Sequence, residues 1–261
     1  MNIIKKIIKK ILFLFGFKNQ KNIHIKDLLN KRAIIAEATA NENSIMETSL
    51  NYSMTPKVRM WALLQSMKYI INSKVEGDIV ETGVFQGGNL ILCQKLLDIY
   101  EPKTNRKIFG YDTFEGMTEP TQNDKNIFDE DPKSFWKKSQ KESHNDWCYA
   151  SIEEVKNNFI KETNFNNSLK LIKGPVEETL GVNENLPDKI SLLRLDTDWY
   201  QSSKKELEIL YPKLVVGGVL IIDDYGHWQG VKKSVDEYFK DQKIWLHYVD
   251  YGCRLLIKKA E

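Results

Sequence analysis

The sequence predicts an α/β protein with a mostly parallel, seven-stranded sheet, helices on both faces and an antiparallel hairpin at the carboxyl end. Two observations predict it. From residue 55 onward, short apolar runs alternate with longer helical patterns, which is how βαβ units and a parallel sheet read in sequence. The last two runs, 244–250 and 252–258, follow each other too closely for a parallel crossover of about a dozen residues, so they pair antiparallel.

The chain has 261 residues, 41% hydrophobic and 28% charged, enough for one large domain with additional segments. Residues 1–22 form a separate element. In "MNIIKKIIKKILFLFGFK", Ile3, Ile4, Ile7, Ile8, Ile11 and Leu12 fall at helical spacing, with Lys5, Lys6, Lys9 and Lys10 on the other face. This is a basic amphipathic helix. Its apolar run is too short and too interrupted to span a bilayer, and it lacks the charge-first order of a secretory leader. Two placements suit it: the inner membrane surface, reached through residues 1–18, with lysines near anionic lipid, or packing against protein. Of the 38 basic residues, seven lie in the first 26, which leaves 31 against 36 acidic ones. A body this close to neutral argues against nucleic acid as partner. Cys93, Cys148 and Cys253 are scattered and odd in number, which fits a reducing cytoplasm rather than a disulfide framework.

The body, 23–261, begins with a helical cap over 23–75. Residues 23–50 read as a helix and a loose connection. "TPKVRMWALLQSMKYII" then starts a clear helix, with Thr55 expected as N-cap and Pro56 in the first turn. "DIVETGVFQGGNLILCQKLL" gives a strand, a turn and a helix, and "KIFGYDTFEGM" a second strand ending at Asp112. "SLKLIKG" (168–174), "KISLLRLDTDWY" (189–200) and "LVVGGVLIIDDY" (214–225) are the next strands, with helices expected over about 150–163, 201–212 and 228–240. In open α/β sheets, ligands bind outside the carboxyl ends of the strands. Glu81, Asp112, Asp196 and the pair Asp223–Asp224 all fall there. Acids at four separate strand ends mark a site.

The turn "ETGVFQGG" spaces Glu81, Gly83, Gly87 and Gly88 between a strand and a helix, so that backbone can approach a ligand. It is not the GxGxxG dinucleotide fingerprint. Asp112, at the end of the next strand, can accept bonds from ribose hydroxyls. Turn and acid together suit an adenosine-containing ligand, and the missing pyrophosphate motif points to S-adenosyl-L-methionine (SAM).

"VETGVFQGGN", "GYDTFEGM", "LRLDTDWYQS" and "YPKLVVGGVLIIDDYGHWQGVKKSVDEYF" resemble, in that order, the macrocin O-methyltransferase family. The likeness runs from about Met54 to Leu256 and leaves out the basic helix. It implies a class I SAM-dependent methyltransferase fold, Rossmann-like, and Mg²⁺-dependent methylation of a sugar hydroxyl. It also implies metal binding by Asp196, Asp223 and Asp224. Contacts to SAM are then expected at Met54 and Thr55 of "SMTP", with Arg59 assisting, and at Glu81, Thr82, Gly83, Val84, Phe85, Gly87 and Gly88 of the turn. Asp112, Thr113 and Phe114, with Val176 and Glu177 beyond the third strand, complete the set.

Elementary chemistry agrees with a cation. Adjacent strands lie about 4.8 Å apart, so Asp196 and the Asp223–Asp224 pair converge on one rim. Ionised carboxylates that close repel unless a cation joins them, and oxygen-only ligands favour Mg²⁺, Ca²⁺ or Mn²⁺. Adjacent strand residues point to opposite faces, so both Asp223 and Asp224 can ligate only if the chain turns between them. Asp196 is the expected general base and His227 the rival; Asp198 is a further candidate that reads more as structural. Residues 113–149, with Phe114, Phe128, Phe135, Trp136, Trp147 and Tyr149, read as a mobile lid over a sugar-containing acceptor. A homodimer is the expected assembly. The competing readings are a metal-dependent hydrolase, which has no use for an adenosine pocket, and a non-catalytic SAM-binding membrane-associated protein, which has no use for an intact aspartate set.

Overall fold

The computed structural model describes residues 34–164 and 168–260. The basic segment 1–22 and the first part of the cap lie outside the described residues. Ile35 onward forms one compact unit. Two helices, α1 (Ala40–Leu50) and α2 (Lys57–Asn72), precede the sheet. The strands are β1 (Asp78–Thr82), β2 (Ile108–Asp112), β3 (Leu169–Lys173), β4 (Ile190–Leu195), β5 (Leu214–Ile222), β6 (His247–Tyr248) and β7 (Arg254–Ile257). Their order is β3-β2-β1-β4-β5-β7-β6. β1 to β5 run parallel, and β7 pairs antiparallel with both β5 and β6. The expected fold class is therefore the one observed.

Between the strands lie α3 (Gly88–Tyr100), α4 (Lys133–Ser139), α5 (Ile152–Glu162), the single turn α6 (Val176–Thr179), α7 (Tyr200–Ile209) and α8 (Gln229–Tyr238). Alternation along the strands sorts the core into two layers. Ile79, Leu192, Val219 and Ile221 face α1, α2, α3 and α5. Val80, Leu193, Leu195, Leu220 and Ile222 face α7 and α8. No helix among the described residues is long and apolar enough to cross a membrane. All three cysteines are free thiols.

One expectation changes. Helix α2 begins at Lys57, with Pro56 at its cap and no side-chain cap bond. The Thr55 hydroxyl accepts instead from Asn89 (3.1 Å) and Arg194 (3.2 Å), two buried donors that need an acceptor. Residues 113–149, the expected lid, rest on the site loops. Asp124, fully buried, accepts from the Tyr200 and Thr121 amides at 2.7 Å each. The Gln229 amide donates to Lys125, and the Ile127 amide to His227, both at 2.9 Å. Trp136 and Trp199 donate their indole N–H groups to the carbonyls of Met117 and Thr118.

Candidate active site

Strand alternation and register build the floor of the site. Glu81 on β1 pairs with Arg194 on β4, which pairs with Ile221 on β5. Ile79, Leu192 and Ile221 face α2 and α3, so a period of two sends Glu81, Arg194 and Asp223 to the same side. All three are at most 3% exposed. Arg194 Nη1 donates to Glu81 Oε1 and Asp196 Oδ2, each at 2.7 Å, and Nη2 bonds Asp223 Oδ2. Arg59, on α2, pairs through Nη1 with Asp223 Oδ1 and, at 3.4 Å, with Asp224; its Nε donates to Asp250 at 2.8 Å. Sequence reasoning missed Arg194. Its signal was there: one charge in the otherwise apolar run "ISLL-R-L", a position that demands buried counter-charges.

The rim is built by turns. Asp223 is still in the ladder, its amide donating to Leu195 at 2.9 Å. Asp224 then takes a positive φ of 53°, so the chain does turn between the two aspartates. Gly226 follows, where a β-carbon would lie 1.7 Å from the Tyr251 carbonyl oxygen; only hydrogen fits. Its amide donates to Gly252 at 2.8 Å, which sews the C-terminal hairpin to this loop. Gly83 meets the same constraint, since a β-carbon there would lie 1.9 Å from the Asp196 carbonyl oxygen.

Asp196, Asp198 and Asp224 each offer a carboxylate oxygen within 4.8 Å of the other two. Asp223 is not in this group, being held by the two guanidinium groups below. Desolvation, joined by the neighbouring acids, pushes Asp196 and Asp198 well above the usual carboxylate range; Arg194 opposes this at Asp196. The His227 ring meets Trp228 and Tyr251 edge-on, at centroid distances of 4.6 and 6.1 Å.

The expected donor-binding residues fall into three places. Thr55 and Glu81 meet at Asn89, whose side-chain amide bridges them at 3.1 and 2.8 Å. Glu81 Oε2 and Asn89 Oδ1 are buried acceptors without a donor among the described residues. Burial pushes the Glu81 carboxyl up to about 7 against the pull of Arg194. Asp112 is committed to the fold: Oδ2 accepts from the Val84 and Phe85 amides, and Oδ1 from the Phe114 amide and Thr113 hydroxyl. It thereby ties the β1 turn to the β2 loop. Gly87 caps α3 and Gly88 is its first residue, with the Gly88 amide on the Tyr52 carbonyl. Val176 and Glu177 open α6 just past β3. Met54 is exposed, whereas Thr82 is fully buried, its hydroxyl 3.5 Å from the Arg194 carbonyl.

Tryptophan rings cluster on the α7–α8 side of the core. Trp147 lies 5.6 Å from Trp199, and Trp199 lies 5.0 Å from Trp228, both T-shaped; Phe135 adds a fourth ring against Trp147 at 4.9 Å. Three distant segments meet here, and no local pattern announces it.

Buried acceptors thus stand at the β1 end of the sheet and acids at the β4 and β5 ends, an arrangement to set beside the known proteins that match. The model of the macrocin-O-methyltransferase (TylF) family matches residues 7–254. The chain belongs to this family. It is 29% identical over 229 residues to demethyldecarbamoylnovobiocin O-methyltransferase of Streptomyces niveus, covering 87% of this chain and 82% of that one. It is 30% identical over 178 residues to 8-demethyl-8-(2,3-dimethoxy-α-L-rhamnosyl)-tetracenomycin-C 4′-O-methyltransferase of Streptomyces olivaceus, covering 68% and 64%. The solved structure of the O-methyltransferase NovP superposes with a TM-score of 0.68 at 29% identity, over 80% of this chain and 83% of that one. The macrocin-family chain is thus an O-methyltransferase, and its methyl donor is SAM.

Proposed function

We propose that the enzyme methylates a sugar hydroxyl, on a glycan or a glycosylated metabolite, with Mg²⁺ held at the acidic rim that contains Asp196 and Asp224. The observation that carries this reading is the pair of hydrogen bonds that Arg194 Nη1 donates to Glu81 and Asp196. One buried guanidinium joins the donor end of the pocket to the acid that would meet the acceptor. The rhamnosyl group named in a relative's substrate supports a sugar acceptor.

The donor sets fit both bound groups. Glu81 Oε2 and Asn89 Oδ1, buried and without donors among the described residues, suit the ammonium group of SAM. The rim offers oxygen ligands alone, as Mg²⁺ prefers. When bound, SAM supplies an electrophilic methyl group, and the cation polarises the acceptor hydroxyl. The chain does the rest. Arg194 holds Asp196 by Oδ2, which leaves Oδ1 to take the hydroxyl proton as general base. Fixing that oxygen matters because methyl transfer depends on alignment. His227, on its own aromatic contacts, is the second candidate base.

Comparing sugar metabolites and cell-surface glycans of a deletion strain with its complemented parent, by mass spectrometry, tests the proposal. The expected result is the loss of one methyl ether from a sugar; methylation lost only from a non-sugar compound overturns it. Purified enzyme that keeps full activity in chelator overturns the Mg²⁺ requirement. The pattern of residues 1–18 supports placement on the inner membrane surface. An unchanged membrane fraction after their deletion rejects that.

A further inference from the structure

We propose that Glu206 is a positioning residue for methyl transfer. From α7 it holds Thr197, and through Thr197 it fixes the loop of Asp196 against the turn that follows β1. This rests on the reading of Asp196 as the general base.

Glu206 is poorly suited to a purely structural role. It is fully buried, on the helix that packs against Val80, Leu193 and Leu195. Acids are rarely buried unless paired. Among the described residues Oε1 accepts one bond, from the Thr197 hydroxyl at 2.8 Å, and Oε2 accepts none. The Thr82 hydroxyl also acts on this carboxyl, although its own bond runs to the Arg194 carbonyl at 3.5 Å. A buried acceptor left without a donor costs stability, and an apolar side chain would not. A residue that breaks a local rule at such a cost marks a functional place.

The surroundings of Glu206 give the acid a use. Thr82 ends β1 and pairs in register with Leu195, the end of β4. Just beyond them Gly83 lies against the Asp196 carbonyl, where a β-carbon would come within 1.9 Å. Glu206 meets a residue on each side of that contact, Thr82 before Gly83 and Thr197 after Asp196. The alternation of β4 runs on into the loop. Arg194 and Asp196 are bonded on one side of the sheet, while Leu195 and Thr197 face α7 on the other. Holding Thr197 down on α7 therefore holds Asp196 up toward Arg194 and the rim. The Thr197 carbonyl is fixed as well, by the Trp199 amide at 2.9 Å, but only the bond to Glu206 grips the side chain. Misplacing a reacting group by about 1 Å can cost on the order of 10²-fold in rate.

Transfer of tritiated methyl groups from SAM into a lysate of the deletion strain, by purified full-length enzyme, tests the assignment without knowledge of the acceptor. At saturating SAM, Glu206→Met should slow transfer at least about tenfold, with the KM for SAM within about threefold of wild type. Its melting temperature at about pH 8.5 should be no lower than that of wild type, because an unsatisfied acid has been removed. Glu206→Gln, which keeps an acceptor for Thr197, should recover most of the rate. Thr197→Val should match Glu206→Met, Thr197→Ser should resemble wild type, and the double variant Glu206→Met/Thr197→Val should fall no further than either alone. A purely structural role would lower rate and melting temperature together. Glu206→Met with a rate within about threefold of wild type overturns the inference, as does a loss that Glu206→Gln fails to recover or one that follows a lowered melt. Asp196→Asn with the wild-type rate overturns instead the base reading beneath it.

Discussion

The floor and the rim of the site are built from the same residue type and behave as opposites. On the floor, Glu81 and Asp223 are buried with Arg59 and Arg194 bonded among them. On the rim, Asp198 and Asp224 are half-buried, with carboxylate oxygens within 4.8 Å of each other, and among the described residues Arg59 reaches Asp224 alone of the two, at 3.4 Å. Asp196 touches both, with Oδ2 on Arg194 and a carboxylate oxygen in the rim group. A buried ion pair fixes geometry, and removing one partner is costly. An uncompensated cluster is unstable alone and becomes useful when a ligand completes it. The floor therefore sets position, and the rim is where charge changes.

Four substitutions probe that contrast. The largest effect should follow from Asp196→Asn, which removes the proposed base: turnover falls by roughly 10²–10⁴, while calorimetric affinity for S-adenosylhomocysteine stays near wild type. Activity within tenfold of wild type would show that the rim does not act through this residue. Next is Arg194→Met, which leaves Glu81 and Asp223 without their shared cation. A loss of about 3–5 kcal/mol is expected, read as a melting temperature lower by roughly 8–15 °C; an unchanged melt would remove the distinction between floor and rim.

Gly226→Ala should be milder, since the new methyl group must push the Tyr251 carbonyl aside. A cost of about 1–3 kcal/mol should come with weakened activity. A melt like wild type would show the hairpin yields there. The smallest and only stabilising effect concerns Glu206, on α7, whose Oε1 accepts from Thr197 at 2.8 Å and whose Oε2 has no donor among the described residues. Burial pushes this carboxyl from 4.5 up to about 7. The folded state thus favours the protonated acid. Its contribution is complete below pH 4.5 and is lost as pH rises through about 7. Glu206→Gln should leave the melt unchanged near pH 5 and raise it by roughly 3–6 °C near pH 8.5. Equal shifts at both values would contradict the titration.

Periodicity carried the fold a long way, and motif order carried the family. Each strand end bearing an acid was legible because a charge stops an apolar run. What was not legible depended on which side of the sheet a charge faces and what meets it there. Asp223 and Asp224 look alike in "IIDDYG", yet one continues the ladder and the other turns out of it. Asp198 reads as a loop acid until β4 and β5 are placed side by side. Thr55 looks like a helix cap until Asn89 and Arg194 arrive from sequence positions 34 and 139 residues away. The tryptophan cluster joins residues 147, 199 and 228, a meeting no short window contains.

The bond between Arg59 and Asp250 spans 191 residues of chain, and Gly252 lies against the same guanidinium. Contacts this distant form late, after the entropy of closing the intervening chain has been met. During synthesis the sheet core from β1 to β5 can assemble while Arg59 still waits for its hairpin partner. The nascent polypeptide therefore holds no finished catalytic centre until the hairpin that carries Asp250 and Gly252 has been made and has docked on Arg59. A C-terminal truncation that removes only a small hairpin at the sheet's edge should silence the enzyme.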